Sequence, residues 1–123
     1  MKIRYKSGYK YVLKESYVYK DVQHGFPDCA LLPFINIRGP KILIYWGYAW
    51  DGASGPAIDT DTIMRGSLMH DALYQLIETK KLPSHYKRAA DKLLYKICRE
   101  DGMWWLRAQW VYWACVWFGN PTS

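Results

Sequence analysis

Near Gly47 the chain changes its repeat, and that change limits the folds open to it. Before this point apolar and aromatic residues recur every second position. Tyr9, Tyr11 and Leu13 alternate with Lys10 and Lys14, and Tyr17 and Tyr19 resume after a turn near Glu15-Ser16. This is the period of a half-buried strand. Two more apolar runs, Leu31 to Ile37 and Lys41 to Trp46, flank Arg38-Gly39-Pro40, which reads as a hairpin turn. His24 to Asp28 reads as a loop. After Asp61 the spacing becomes helical. Strands followed by helices predict an α+β fold, with antiparallel hairpins first and three helices after them.

The segment from Gly47 to Asp61, rich in glycine, proline and aspartate, reads as the loop between the two halves. Thr60, Asp61 or Thr62 can cap a first helix over Ile63 to Glu78. Lys80 to Ser84 breaks the chain, and Ser84 is the expected N-cap of a second helix ending near Glu100. Asp101-Gly102 separates it from a tryptophan-rich third helix that stops at Gly119-Asn120-Pro121. At 123 residues this is one domain: a β region over 1–46, a loop over 47–61 and a helical region over 62–119.

Half of the residues are apolar and 23% are charged, which excludes a disordered tail. Cys29, Cys98 and Cys115 are odd in number and form no C-x-x-C pair, which argues against a disulfide scaffold and against a thiolate zinc site. They read as small core residues in a reducing compartment. No apolar signal core follows Met1 to Lys6, and Trp104 to Phe118 is interrupted by Arg107 and Gln109. It is also shorter than the ~20 residues of a bilayer span. The expectation is a chain without export signal or transmembrane helix.

Chemistry concentrates on the first two helices. His70 and Tyr74 are four apart and share a face with Ile63, Ser67 and Ile77, while Asp71 lies one step round. A histidine on such a face needs partners for its ring nitrogens. Asp91 points to the apolar side of the second helix, three residues before Leu94 and seven before Cys98. Buried carboxylates are rare unless paired. Two helices joined by a short link pack antiparallel, so a His70–Asp91 contact satisfies both groups. A carboxylate on one imidazole nitrogen leaves the other free to take a proton from water. Asp71, with loop carbonyls between Tyr48 and Gly55, could bind a hard cation such as calcium. The same residues admit a purely structural polar pair, and Asp51 and Ser54 admit a role in loop turns. Asp59 and Asp61 suit a helix start, and His24 and His85 read as solvated.

Two resemblances follow from these motifs. The order Trp50-Asp51-Gly52-Ala53-Ser54-Gly55-Pro56, then His70-Asp71-Ala72-Leu73-Tyr74, then Ala90-Asp91 resembles a family of small phage and prophage proteins of unknown function. This implies a phage or prophage origin, with the protein in the host cytoplasm or the virion. The same order more distantly resembles calcium-dependent phospholipase A2, especially the domain of parvovirus capsids. That likeness implies His70 as general base, Asp91 as its orienting carboxylate and Tyr74 as a hydrogen-bond donor to Asp91. It implies Asp71 as calcium ligand, with Tyr48, Gly52, Gly55 and Asp51 in the calcium loop. Gly52 and Gly55 are three apart, whereas the phospholipase loop glycines are usually two apart.

The expected activity is hydrolysis of membrane-lipid esters. The alternatives are a non-enzymatic phage virion, tail or lysis-module protein and a cell-wall amidase or peptidase using the same residues. Five of the 7 tryptophans lie between Trp104 and Trp117, and the net charge is +6. A helix so aromatic is either enclosed or exposes an apolar face for a lipid interface or another subunit. Lys80, Lys81, Lys87, Arg88, Lys92, Lys96 and Arg99 make the second helix and its approach basic. The absence of RNP, helix-turn-helix and zinc-finger patterns argues against a nucleic-acid partner. The partners expected are anionic lipid, a phage structural protein, or a second copy through the tryptophan helix.

Overall fold

The hairpin at Gly39-Pro40 shows how the β region is built. Gly39 takes a positive φ of 56°, which a side chain would resist, and Arg38 and Lys41 pair directly across the turn. The Asp28 carboxylate accepts the Gly39 N–H at 2.8 Å and holds the turn from outside. In this computed structural model the residues described are 5–6, 11–20, 25–50 and 61–119, with side chains for 11–20, 25–50 and 62–119.

Among the described residues, seven strands form two antiparallel sheets. They are β1 (Tyr5–Lys6), β2 (Tyr11–Leu13), β3 (Tyr17–Lys20), β4 (Cys29–Leu31), β5 (Ile35–Arg38), β6 (Lys41–Ile44) and β7 (Ala49–Trp50). The first sheet has the order β1-β2-β7 and the second β3-β6-β5-β4. Alternation places Ile35, Ile37, Ile42, Ile44 and Tyr19 in the core. Two details differ from the sequence expectation. Leu31 to Ile37 is not one run: a turn separates β4 from β5, closed by Phe34 N–H donating to the Leu31 carbonyl at 3.1 Å. The segment from Gly47 is not wholly loop: Ala49–Trp50 pairs with Val12 and Tyr11. Trp50 is buried, so side-chain burial anchors a strand too short to show a period.

Among the described residues three helices follow: α1 (Asp61–Glu78), α2 (Lys87–Glu100) and α3 (Trp105–Phe118). The observed class is therefore the expected α+β, with α1 packed most extensively on α2. α1 is buried on two sides. Leu68, Met69, Ala72 and Leu76 join the core with the sheet residues, whereas Ile63 joins Leu94, Cys98, Met103, Ala108 and Val111 against α3. Gly66 lets α1 and α2 approach closely: a Cβ there would meet Leu94 Cδ1 at 2.9 Å and Cys98 Sγ at 3.1 Å.

Both helix ends before a turn use the Schellman arrangement. After α1, Lys80 N–H donates to the Ile77 carbonyl and Lys81 N–H to Leu76, with Lys80 itself at φ 62°. After α2, Gly102 at φ 94° takes the same place, with Met103 N–H donating to Cys98. Ser84 does not cap α2. It opens a 3-10 turn, Ser84–Tyr86, which continues into α2 with Tyr86 as N-cap and no side-chain cap bond. Pro83, extended at φ −60°, begins the turn earlier than the capping pattern suggested. Among the described residues no helix is long and apolar enough to cross a membrane.

Candidate functional site: a carboxylate shared by three donors

His70 and Tyr74 sit one helical turn apart on α1, with ring centroids 4.0 Å apart. Both reach the same oxygen on α2. His70 Nε2 lies 2.7 Å from Asp91 Oδ1, and the Tyr74 hydroxyl donates to that oxygen at 2.6 Å. The other oxygen, Oδ2, accepts from Lys87 Nζ at 2.9 Å. Asp91 is completely buried and His70 is 9% exposed.

Burial alone would push the Asp91 carboxyl up, but hydrogen bonds from His70, Tyr74 and Lys87 outweigh it and hold the group below its ordinary range. Burial and the adjacent Asp91 push the Tyr74 hydroxyl well up, so it stays a donor. An ionised carboxylate only accepts, so the proton between Asp91 and His70 belongs to Nε2. Nδ1 is then the basic nitrogen, and it has no hydrogen-bond partner among the described residues.

Lys87 extends the site to the third helix. Its ammonium donates to the Cys115 carbonyl at 3.0 Å and the Val116 carbonyl at 3.4 Å, near the end of α3. A cation there satisfies exposed carbonyls and complements the helix dipole. The Cys115 thiol lies in the same neighbourhood: one ligand atom each from His70, Asp91 and Cys115 falls within 4.8 Å of the others. Burial, then the Asp91 charge, push this thiol up to about 12. Its protonated form is a poor nucleophile.

The structure thus brings together His70, Tyr74 and Asp91. Tyr48 is buried beside α1: its hydroxyl donates to Gln75 Oε1 at 3.0 Å, and its carbonyl accepts from Leu13 N–H at 2.9 Å. Asp71 is half-buried on α1. Asp51, Gly52 and Gly55, expected in a calcium loop, lie outside the described residues, as do Ser54, Asp59 and His24. His85 is exposed, with its ring 4.4 Å from that of Tyr86. Cys29, Cys98 and Cys115 are free thiols, Cys98 buried and the other two half-buried.

Calcium takes several oxygens, whereas the one grouping of three ligand types among the described residues contributes nitrogen, oxygen and sulfur. The Lys87 ammonium on Asp91 also disfavours a second cation at that carboxylate.

Sequence reading missed a second polar network. Arg65 on α1 is buried and forms a fork on Asp101, with Nε to Oδ2 at 3.0 Å and Nη2 to Oδ1 at 2.9 Å. Nη2 also meets Glu100 Oε1 at 2.9 Å, and Nη1 donates to the Tyr17 hydroxyl at 2.6 Å. The guanidinium lies 5.5 Å from the Tyr19 ring centroid, and Tyr19 donates to Glu100. This network ties β3 to α1 and to the end of α2. A signal was present: Arg65 precedes Leu68, Met69 and Ala72 by three, four and seven residues, on an apolar stripe.

Comparison of the chain with protein-family models, curated proteins and solved structures found no match.

Proposed function

We propose that the chain is a hydrolase in which His70 activates water, in the manner of a phospholipase A2, on an ester of membrane lipid. One observation carries the reading: Asp91 Oδ1 receives both His70 Nε2 and the Tyr74 hydroxyl, while no described residue bonds Nδ1. The carboxylate fixes the tautomer and stabilises the imidazolium that forms when Nδ1 takes a proton. Tyr74 holds the carboxylate in register. A calcium contribution would rest on Asp71 and the segment 51–55.

Lys87 supports a second reading. It binds Asp91 and the last carbonyls of α3 together, so the same carboxylate joins three helices. On that reading the chain is a non-enzymatic phage virion, tail or lysis-module protein, and the His70–Asp91 pair is structural. A cell-wall amidase would use the same residues on a different substrate.

The test is fatty-acid release from phosphatidylglycerol vesicles, with calcium and with chelator, by the wild type, His70→Ala and Asp71→Asn. The hydrolase reading expects His70→Ala to lose roughly 100-fold or more while remaining folded. Loss with chelator and in Asp71→Asn would support calcium. Equal inactivity of wild type and His70→Ala on lipid, with turnover of peptidoglycan by the wild type, would move the site to the amidase reading. Inactivity on both substrates leaves the structural one.

A further inference from the structure

α3 has two apolar faces, and the core uses one. Ala108 and Val111 turn inward and are buried, with half-buried Cys115 on the same side. Leu106, Trp110, Trp113 and Trp117, at intervals of four, three and four, line the opposite side. These four are 51%, 52%, 46% and 71% exposed, and the Trp113 and Trp117 rings stand 5.8 Å apart. Trp104, Trp105 and Phe118 widen the exposed surface at the helix ends. A monomer rarely leaves so many large apolar side chains on one element in water.

The charges beside this stripe are mostly positive. α3 contains no acidic residue. Of the acidic groups of α2 and the following turn, Asp91 is buried against Lys87 and Asp101 against Arg65, and the exposed Glu100 is paired with Arg65 at the far end of the helix. Arg88, Lys92 and Arg99 are exposed and recur at intervals of four and seven along one row of α2. That row adjoins Tyr95, whose ring meets Tyr112 of α3 at 6.3 Å and whose hydroxyl is near Gln109 at 3.4 Å. A cationic row and an aromatic row therefore flank one seam between α2 and α3.

We infer that this surface docks on the interface of an anionic lipid bilayer, with α3 lying in the membrane plane. Indole rings favour the boundary between headgroup and hydrocarbon, where the ring is buried and its N–H stays wet. Lysine and arginine beside them meet lipid phosphates. At 14 residues α3 is about 21 Å long, which suits lying in the interface and not crossing it. A second copy fits less well, because it would bring two chains of charge +6 together along their cationic rows. This docking does not depend on His70 having any catalytic role.

The experiment is cosedimentation of the full chain with vesicles of phosphatidylglycerol or of phosphatidylcholine alone, over a range of salt, with sedimentation velocity to read the oligomeric state. A monomer that binds phosphatidylglycerol more tightly, and loses affinity with salt, is expected. The triple variant Trp110→Ser, Trp113→Ser, Trp117→Ser and the double variant Arg88→Glu, Lys92→Glu should each bind roughly tenfold weaker or worse. Cosedimentation reads binding without any hydrolysis, so failure of the hydrolase reading is separable from failure of this one. Four results would overturn the proposal. They are no vesicle binding by the wild type, equal binding to both lipids at all salt concentrations, variants that bind unchanged, and a stable dimer that the triple tryptophan variant dissociates.

Discussion

Asp91 reaches His70 across the α1–α2 interface, with 2.7 Å between Oδ1 and Nε2. The contact is buried, so neither group can exchange its partner for water without moving a helix. The pair is consequently a stability element whatever its chemistry.

Asp91→Asn tests this relationship. The amide keeps the shape but loses the charge that Lys87 needs, and it sets an N–H₂ group against a donor. Removing one partner of a buried pair costs about 3 kcal/mol or more. Urea denaturation should show that loss. A variant within 1 kcal/mol of wild type (about one pKa unit's worth of interaction) would mean that the network adds little.

The acid limb of the stability profile should belong largely to the same residue. Its carboxyl is held below the ordinary range in the folded chain and relaxes to about 3.9 on unfolding. The unfolded state therefore binds the proton first as pH falls. The stabilisation is present above pH ~4 and is lost as pH drops through the folded value. Thermal melts from pH 6 to pH 2 should show a steeper decline in wild type than in Asp91→Asn.

Arg65→Ala should be among the most damaging single changes. It leaves the Asp101 side chain, 5% exposed, without its fork, and it removes the Tyr17 contact. A cost of about 3–5 kcal/mol follows from removing one partner of a buried ion pair. Arg65→Lys should recover part of this, because an ammonium restores charge but not the bidentate geometry. Equal damage from both variants would mean that the planar fork itself is required.

Lys80→Gly should stabilise the chain. Lys80 holds the left-handed position of a Schellman turn, where its Cβ is strained and glycine is not. Relief of about 1 kcal/mol outweighs the extra freedom glycine gives the unfolded chain. The readout is a higher melting temperature than wild type. No change, or a lower value, would show that the turn already relaxes around lysine.

The His70–Asp91 contact was legible because its ingredients are local. Helical spacing sets His70 and Tyr74 on one face, and the short link after Thr79 returns α2 antiparallel to α1. Arg65 was harder to read because its partners lie 35 and 36 residues later, at the end of a different helix. Lys87 looked like one more member of a solvated basic face until α3 brought its carbonyls within reach. The β7 strand escaped because two residues carry no period, and its place depends on pairing with β2.

The class of fold, the order of its elements and the residues that needed buried partners were already set by the chain's residue pattern. Those properties follow from the spacing of apolar side chains and from the cost of burying charge. Tertiary structure decided which partners were chosen, because several basic and acidic side chains could have met each demand and backbone geometry selects among them. It also decided the fate of α3. A helix aromatic on nearly every side could have been enclosed, and the packing of α1 and α2 left one of its faces in water.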